Sequence, residues 1–393
     1  MRKHSLPHLK FDSLFLMGVL ALVGIGIVII YSSSGAYAES RGHPDTFYLF
    51  HHLKKVVLAF AALILGMLVD FQTWKKLARP AVFIVMGFLV FLITAKGISD
   101  IHGAKRWISF AGFGLQPSEL AKIAVVFFLA NFLTEKQDVI RHFRKGLLAS
   151  LIIVGIISSL VLLQPDYSTA AIILCISIAL IFAGGARLTH LLLLGVAGAP
   201  LLLWLMISST YRFKRVMAFL SPGEHTASSY QSMQAMISLG NGGITGTGLG
   251  TSTQKLGYLP MPFTDSIFSI LGEELGMLGT MTCLLLFALI IWRGLKVAFN
   301  CEDRFGSLIA VGVIISISVN VIMHVGVCAG FFPTTGQPLP FVSYGGSALC
   351  SIMFLSGVLL NISGNLAEKP DNLRENTRKI VQRAWAKQKL RTG

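Results

Sequence analysis

Long apolar stretches recur along this chain and constrain its fold more than any other feature. A run of about 20 apolar residues is long enough to cross the hydrocarbon core of a bilayer as a helix. Hydrophobic residues make up 54% of the 393 residues and charged residues 13%, about half the charged share of a soluble domain. The sequence therefore predicts an all-α integral membrane protein of about ten transmembrane helices. The predicted spans are 11–31, 53–70, 80–96, 117–133, 147–164, 168–185, 188–208, 266–291, 307–328 and 346–364.

The fifth and sixth of these spans are separated only by residues 164–166, which read QPD. Such a short break is compatible with two separate helices or with one kinked element. A broken helix pair with an acid between its halves is also how many transporters build a site near the membrane midplane. Asp166 is therefore either the N-cap of the following helix, an ordinary structural role, or part of a transport pathway.

The distribution of Lys and Arg predicts the orientation of the chain. If the N-terminus is cytoplasmic, more than twice as many of these residues lie in cytoplasmic segments as in external ones, as the positive-inside rule requires. We therefore expect both termini in the cytoplasm and a large extracytoplasmic loop, 209–265, between spans seven and eight. The chain divides into a polytopic membrane domain, 1–366, and a basic cytoplasmic tail, 367–393.

The net charge of +15 does not require a nucleic-acid partner, and we predict none. Basic residues on cytoplasmic loops face anionic lipid headgroups, which explains a positive balance in a membrane protein. The five cysteines are scattered and show no C-x-x-C spacing, so neither a disulfide framework nor a zinc site is indicated.

The most informative polar segment reads YLPMPFTDSIF at residues 258–268 and continues into GEELG at 272–276. Its prolines favour an extended approach, after which a long apolar helix begins at Thr264 or Asp265. Asp265 is then an N-cap or a carboxylate with a chemical function. Glu273 and Glu274 lie deeper in the membrane zone, where a carboxylate indicates function or a bond to a neighbouring helix.

Three more segments place polar residues near the predicted outer face. Lys105 and Arg106 suit a phosphate at the headgroup level or anchor the chain there beside Trp107. Glu119 and Lys122 are three residues apart on one helix face, so a local ion pair is the plainer alternative to a role in a site. The segment 333–347 is rich in proline and glycine and predicts a re-entrant loop that forms a cavity wall.

The glycine-rich run at residues 238–250 permits backbone conformations that other residues avoid. It is not a G-x-G-x-x-G fingerprint, and no βαβ pattern surrounds it, so a dinucleotide site is excluded. The chain also has no Walker A motif, and nucleotide hydrolysis has no support.

Taken together, these segments resemble the SEDS family, which comprises FtsW, RodA and the sporulation member SpoVE. The similarity covers nearly all of residues 11–366, and SSS at 32–34 with QKLG at 254–257 favours the division member FtsW over RodA. The matching motifs are KRWI (105–108), QPSEL (116–120), QPD (164–166), YQSMQ (230–234), QKLGYLP (254–260), TD (264–265), GEELG (272–276) and GQPLPFVSYGGS (336–347).

This resemblance implies a peptidoglycan glycosyltransferase of septal cell-wall synthesis in the bacterial cytoplasmic membrane. Its substrate would be lipid II, a disaccharide-peptide on polyprenyl pyrophosphate, and its partners a class B penicillin-binding transpeptidase and other divisome membrane proteins. The essential aspartate of the family maps onto Asp265 as the catalytic residue. Candidate substrate-binding residues are Lys105, Arg106, Glu119, Lys122, Asp166, Gln234, Lys255, Glu273, Glu274 and Ser343.

The chain departs from the family pattern around the aspartate. The family commonly reads Pro-Glu-x-His-Thr-Asp-Phe there, whereas this chain has Met261, Phe263 and Ser266 in place of the Glu, His and Phe. Asp265 as a base would therefore act without an imidazole two residues before it. The leaving pyrophosphate would be met by Lys105, Arg106, Lys255 or a divalent cation such as Mg²⁺ or Mn²⁺.

Three alternatives remain open at the level of sequence. A lipid II flippase or other lipid transporter would use Asp166, Glu119 and Lys122 as a pathway through the membrane. A non-catalytic divisome scaffold would need no carboxylate chemistry, and an elongation polymerase of the RodA type would share the chemistry but not the septal role. The outward position of Asp265 favours a polymerase, because polymerisation occurs outside the membrane.

Overall fold

The computed structural model describes residues 11–94, 106–110, 113–208, 210–220 and 227–366, and helices dominate these ranges. The helices are α1 (Ser13–Glu39), α2 (Phe47–Leu68), α3 (Phe71–Thr94), α4 (Pro117–Glu135), α5 (Leu148–Leu163), α6 (Tyr167–Ala183), α7 (Leu188–Ile207), α8 (Thr210–Leu220), α9 (Ala227–Asn241), α10 (Ile267–Asn300), α11 (Arg304–Cys328) and α12 (Gly346–Leu366). A π-helical turn, Phe143–Leu147, leads into α5. Strands β1 (Ile108–Phe110) and β2 (Phe113–Leu115) form an antiparallel pair.

Each of the ten predicted spans coincides with one helix. Seven helices are long and apolar enough to cross a membrane, and the three shorter apolar ones are α5, α6 and the first part of α7. The chain is therefore a multi-pass membrane protein. Helices α5 and α6 are separate elements that meet at residues 164–166, so the interpretation as one kinked helix is wrong. The predicted tail, 367–393, lies outside the described residues.

Helices α4, α11 and α12 are the most buried of the long spans, while α2, α3 and α10 leave more of their surface outside the bundle. Within the bundle, α10 packs on α1 and α11, and α11 also packs on α4 and α6. Apolar side chains on α2, α3 and α10 that point away from the bundle match the lipid surroundings expected of outer helices.

Contacts at one end of the bundle join segments that were predicted to lie in the cytoplasm. The Asp12 backbone N–H donates to the Ser363 hydroxyl at 3.0 Å, and the Asp12 carboxylate pairs with Arg293 at 2.6 Å. The Gln72 amide donates to the Asp303 carboxylate at 2.8 Å. The beginning of α1 and the end of α12 therefore lie at the same end of the bundle, in agreement with the prediction that both termini share one side.

Contacts at the opposite end join the segments that were predicted to be external. The Ser32 hydroxyl at the far end of α1 donates to Glu274 at 2.6 Å, and the Ser168 hydroxyl donates to the Thr335 carbonyl at 2.8 Å. The Gln116 backbone N–H donates to the Ser347 hydroxyl at 3.0 Å. The loops that were predicted to carry the chemistry thus gather on one face of the membrane domain, which we refer to as the outer face.

The large loop predicted at residues 209–265 contains two helices, α8 and α9. Neither was predicted, because both are short and mix polar with apolar residues, so they lack the long apolar run that marks a span. Helix α9 packs against α10 and α11, and this tertiary contact stabilises a helix that is too polar to be recognised by hydropathy.

Helix α10 is interrupted at Gly276, which has φ 65° and ψ −162°. The backbone N–H groups of Met277 and Leu278 donate to the carbonyls of Gly243 and Ile244 at 2.9 and 3.1 Å. In return, the backbone N–H groups of Thr247 and Gly248 donate to the carbonyls of the adjacent acidic residues 273 and 274, at 2.9 and 3.0 Å. Non-helical backbone at membrane depth requires such partners, and the glycine-rich segment 242–250 supplies them.

Gly276→Ala is predicted to destabilise this junction. A Cβ at position 276 would lie 2.3 Å from the Gly246 nitrogen and 2.5 Å from the Ile244 oxygen, and the positive φ alone costs an L-residue about 1–2 kcal/mol. We expect a lower thermal midpoint of the purified protein in detergent. Gly87→Ala in α3 is the matched control, since a Cβ there meets nothing within 4 Å. Equal midpoints for the two variants would contradict the prediction.

Candidate active site

Asp265 lies at the outer face, at the end of the proline-rich segment and just before α10. The N-cap of α10 is Ser266, and α10 begins at Ile267, so the interpretation of Asp265 as the N-cap is wrong. The segment turns back at Thr264, whose backbone N–H and hydroxyl both donate to the Met261 carbonyl, at 3.1 and 3.0 Å. The Asp265 carboxylate is therefore left to face a cavity.

The re-entrant segment 333–345 holds this aspartate loop in place. The Ser343 hydroxyl donates to the Thr264 carbonyl at 2.9 Å and accepts from the Leu339 backbone N–H at 2.8 Å. The Tyr344 backbone N–H donates to the Phe263 carbonyl at 3.0 Å. These bonds fix the backbone on the N-terminal side of Asp265, and they use the Ser343 hydroxyl within the protein. The predicted contact of Ser343 with substrate stays a prediction.

The cavity in front of Asp265 opens to solvent, and its empty space, including the open part, is about 200 Å³. It is formed where α9, α11 and the re-entrant segment converge on the aspartate loop, so the loop predicted to form a cavity wall does line one. The lining residues are Gln231, Asp265, His324, Val327, Thr334, Thr335, Gly336 and Gln337. Of the two glutamines in the YQSMQ motif, Gln231 lines the cavity and Gln234 does not.

Two opposing effects set the charge state of Asp265. Burial raises the pKa of the Asp265 carboxyl, whereas the nearby Arg215 guanidinium and the Thr264 side chain lower it. Burial is the largest of these effects, and the pKa lies above its usual range. Arg215 belongs to α8 and donates to the Thr334 carbonyl at 2.9 Å, which ties this helix to the cavity wall. A carboxylate with a raised pKa is a better proton acceptor than a solvated one.

Sequence reasoning missed Gln231, Arg215 and His324. His324 is the plainest omission, because an ionisable residue inside an apolar span is a functional candidate by default. Arg215 was missed because its segment was assigned to a loop. The side chain of His324 is buried but lines the Asp265 cavity, and its Nδ1 lies 2.8 Å from the Gln337 carbonyl oxygen.

Glu273 is surrounded by donors from the glycine-rich segment and α9. The Thr253 backbone N–H and hydroxyl donate to its Oε1 at 3.1 and 3.0 Å, and the Ser238 hydroxyl donates to its Oε2 at 3.0 Å. Ser252 donates to the same oxygen. Four donor groups from three residues converge on this carboxylate, so Glu273 fastens the loop that precedes Asp265.

Glu274 has a different set of partners. The Lys255 ammonium lies 3.0 Å from its Oε1, and the Ser32 hydroxyl donates to both carboxylate oxygens at 2.6 Å. The ammonium also lies 3.3 Å from the Ser32 hydroxyl. This ion pair joins the loop, α10 and the end of α1. Lys255, Glu273 and Glu274 therefore connect parts of the chain, and their predicted contacts with substrate stay predictions.

A second, larger cavity of about 480 Å³ lies inside the bundle on the other side of the re-entrant segment. The buried Lys122 ammonium and Glu119 carboxylate pair within it at 2.7 Å, and Ser316 and Asn320 of α11 add polar groups to its wall. The geometry therefore confirms the plainer interpretation, in which Glu119 and Lys122 form a local ion pair.

Asp166 and Arg106 lie at the break between α5 and α6. The Asp166 carboxylate accepts from the Thr169 backbone N–H as the N-cap of α6 and from the Gln116 amide at 2.9 Å. Arg106 donates to the carbonyls of Gln164, at 3.1 Å, and Pro165. Asp166 therefore joins α6 to the start of α4, and Arg106 binds the backbone of the turn. Lys105, the neighbouring candidate, lies outside the described residues.

The described part of the chain contains no group of three or more His, Cys, Asp or Glu side chains that could hold a metal ion. The Asp265 cavity does contain oxygen atoms suited to a hard cation. Besides the carboxylate, the Thr334 hydroxyl and the Gln337 Oε1 are buried and have no hydrogen-bond partner among the described residues. Hard divalent cations prefer such oxygen ligands.

Sequence comparison identifies relatives along nearly the whole chain. The family model described as "Cell cycle protein", which covers FtsW, RodA and SpoVE, matches residues 12–368. Stage V sporulation protein E of Bacillus subtilis is 38% identical over 354 residues, which cover 90% of this chain and 96% of that protein. A probable peptidoglycan glycosyltransferase FtsW of Trichlorobacter lovleyi is 37% identical over 363 residues, with coverage of 92% and 95%.

Solved structures share the fold. A chain from the structure of a peptidoglycan synthase complex that coordinates polymerization and crosslinking superposes with a TM-score of 0.76 at 25% identity, covering 91% of this chain and 98% of that chain. The rod shape determining protein RodA of Thermus thermophilus superposes with a TM-score of 0.67 at 24% identity, covering 91% and 97%.

Loss of the Lys255 charge is predicted to destabilise the protein through Glu274. Both side chains are buried, and removal of one partner of a buried pair costs about 3–5 kcal/mol because the other charge is left uncompensated. We expect Lys255→Met to lower the thermal midpoint strongly and the double variant Lys255→Met/Glu274→Gln to recover most of the loss. Equal midpoints for the single and double variants would disprove the coupling.

The control for this experiment is the exposed pair between Arg79 and Glu135 at the other end of the bundle. An exposed ion pair contributes at most about 1 kcal/mol. Arg79→Met should therefore leave the thermal midpoint almost unchanged in the same detergent.

Proposed function

The chain belongs to the FtsW, RodA and SpoVE family of cell cycle proteins, and on this premise we propose that it is a peptidoglycan glycosyltransferase that polymerises lipid II. The relatives named as probable peptidoglycan glycosyltransferases cover more than nine-tenths of the chain. The observation that carries the proposal is the Asp265 carboxylate, which faces a cavity at the outer face and has a pKa raised by burial.

The proposed reaction joins a sugar hydroxyl of one substrate to the anomeric carbon of another. A new C–O bond forms as the bond from that carbon to the pyrophosphate breaks, and the pyrophosphate leaves with the electron pair. Asp265 accepts the proton of the attacking hydroxyl. Such a positioned base contributes about 10²–10⁴-fold to the rate, and burial makes the carboxylate basic enough to act.

Arg215 is the cation that we propose for the leaving pyrophosphate. It lies close enough to Asp265 to lower the pKa of that carboxyl, and its bond to Thr334 holds it at the cavity wall. Arg106 and Lys255, which the sequence also suggested, bind carbonyls and Glu274 elsewhere. A guanidinium suits phosphate oxygens because it presents several donors in a planar fork.

A divalent cation, Mg²⁺ or Mn²⁺, is a further part of the proposal. Asp265 and the Thr334 hydroxyl would hold it, and it would supply positive charge to the pyrophosphate. Magnesium is commonly bound by one or two carboxylates together with substrate phosphates, which fits a cavity with a single carboxylate.

We further propose that the protein acts at the division septum beside a class B penicillin-binding transpeptidase and other divisome membrane proteins. Support comes from the relatives named FtsW and from the similarity to a chain of a peptidoglycan synthase complex. The substrate faces the outer side in this scheme, where the crosslinking partner also works.

Asp265→Asn is predicted to abolish glycan polymerisation. The amide has nearly the same shape but cannot accept the proton, so the purified variant with its transpeptidase should make no polymer from lipid II above background. Asp45→Asn is the matched control, because Asp45 is exposed in the turn between α1 and α2. Both proteins should show the wild-type thermal midpoint. Full polymerisation by Asp265→Asn would refute the assignment.

The same preparation separates the alternative functions. A lipid transporter would move lipid II across liposome membranes without chain growth, and a scaffold would let Asp265→Asn complement a deletion strain. The geometry gives the transporter little support, because Glu119 pairs with Lys122 and Asp166 caps α6.

The polymerisation rate is predicted to fall as the pH is lowered. The fall should begin at a pH above the usual pKa range of a carboxyl group. A base must be deprotonated to act, and burial raises the pKa of Asp265, so activity is present above this pKa and is lost below it. Arg215→Gln removes a charge that lowers the pKa. The acid limb of the pH–rate profile should therefore move to higher pH in this variant, and an unmoved limb would contradict the assignment.

A further inference from the structure

The Asp265 cavity contains several buried polar atoms without a hydrogen-bond partner in the described part of the chain. They are His324 Nε2, Thr334 Oγ1 and Gln337 Oε1, and all three residues line the cavity beside Asp265. A buried polar atom is ordinarily hydrogen-bonded. Three such atoms around one cavity indicate that a polar ligand completes their bonding.

The protonation of His324 follows from its one bond. Nδ1 lies 2.8 Å from the Gln337 carbonyl oxygen, and a carbonyl only accepts, so Nδ1 carries the proton. In the neutral ring, Nε2 then has a free lone pair. This nitrogen belongs to a side chain that is 1% exposed, and it is an acceptor that no described residue serves.

The unsatisfied groups are mainly hydrogen-bond acceptors, so the ligand that completes their bonding must bring hydrogen-bond donors. Nε2 of the neutral imidazole and Oε1 of Gln337 accept only, and the Asp265 carboxylate accepts as well. Among the charged and titratable groups at this cavity, Arg215 of α8 and Cys328 of α11 both interact electrostatically with Asp265. A ligand that brings donors, such as a sugar with hydroxyl groups, fits this cavity better than a bare phosphate does.

The position two residues before Asp265 does not line this cavity. Phe263 occupies it, and its ring packs against Tyr37, Tyr48 and Tyr344 at centroid distances of 5.3, 4.9 and 5.4 Å. The imidazole beside Asp265 comes from α11 instead, nearly sixty residues further along the chain.

We propose that His324 Nε2 accepts a hydrogen bond from a sugar hydroxyl of lipid II and orients that sugar toward Asp265. This rests on the proposed function and assigns the sugar, rather than the pyrophosphate, to the inner part of the cavity. His324 takes no proton in the transfer, which ends with the hydroxyl proton on Asp265. An oriented hydroxyl reacts faster because less freedom is lost on the way to the transition state.

Steady-state kinetics provide the first test. His324→Leu removes the acceptor and should lower kcat/KM for lipid II about 10- to 100-fold, while His324→Gln keeps an acceptor and should retain most of the activity. The acid limb set by Asp265 should not move in either variant. His52→Leu is the matched control, because His52 is also fully buried without a hydrogen-bond partner for either ring nitrogen in the described residues but belongs to α2 and does not line this cavity.

If His324→Leu and His52→Leu lose the same share of kcat/KM and their thermal midpoints fall by the same amount, His324 has only a structural role and the proposal is wrong. Wild-type kinetics for His324→Leu would overturn the proposal outright.

Nitrogen NMR provides a test that does not depend on turnover. In ¹⁵N-histidine-labelled protein that carries Asp265→Asn to prevent reaction, the His324 Nε2 signal, assigned by its absence in His324→Leu, should be of the unprotonated type. Addition of lipid II should shift it, whereas undecaprenyl pyrophosphate without sugar should not. A protonated Nε2, or no shift with lipid II, would overturn the proposal. If the signal shifts with lipid II but the wild-type protein makes no polymer, the sugar contact stands and only the proposed polymerase function is refuted.

Discussion

The interruption of α10 at Gly276 is the constraint on which the outer face depends. A helix that breaks at membrane depth exposes backbone groups that must find partners inside the protein. The glycine-rich segment fills this need with four backbone bonds: the carbonyls of Gly243 and Ile244 accept two of them, and the segment's N–H groups donate two to the carbonyls of Glu273 and Glu274. Because the segment is held there, the chain that follows must reach Asp265 along a fixed path.

The acidic residues of this region divide into two kinds by what surrounds them. Glu273 and Glu274 have donors or a lysine at their carboxylates, and they connect α1, α9 and the loop to α10. Asp265 has a cavity in front of it instead. A carboxylate whose oxygens already accept hydrogen bonds from the protein joins parts of the chain, whereas burial raises the pKa of the Asp265 carboxyl and lets it accept a proton readily. The fold thus keeps structural and chemical carboxylates within one short stretch of sequence.

The re-entrant segment 333–345 relates the two cavities to each other. Its residues line the Asp265 cavity on one side and the Glu119 cavity on the other. Asn320 and His324 are one turn apart on α11, and each faces one of these cavities. A single helix face therefore supplies polar groups to both, which concentrates the polar chemistry of the bundle along α11 and leaves the outer helices apolar toward lipid.

The sequence by itself determined the ten spans, the segments that share each face and the position of Asp265 at the outer face. These features follow from local properties, since a bilayer requires a long apolar run for each crossing and Lys and Arg are distributed by side. Helix α9 escaped prediction because packing on α10 and α11, rather than hydropathy, stabilises it, and α8 escaped because it is short and polar and packs between α7 and α9.

Only the tertiary structure decided which residues accompany Asp265. Arg215, Gln231 and His324 come from three helices distant in sequence, and their convergence depends on packing that no local pattern records. The same packing gave Glu274 its lysine and Asp166 the Gln116 amide, so acidic residues that looked alike in the sequence have different surroundings. A carboxylate's chemistry depends on its solvation and on the charges near it, and these are properties of the folded chain.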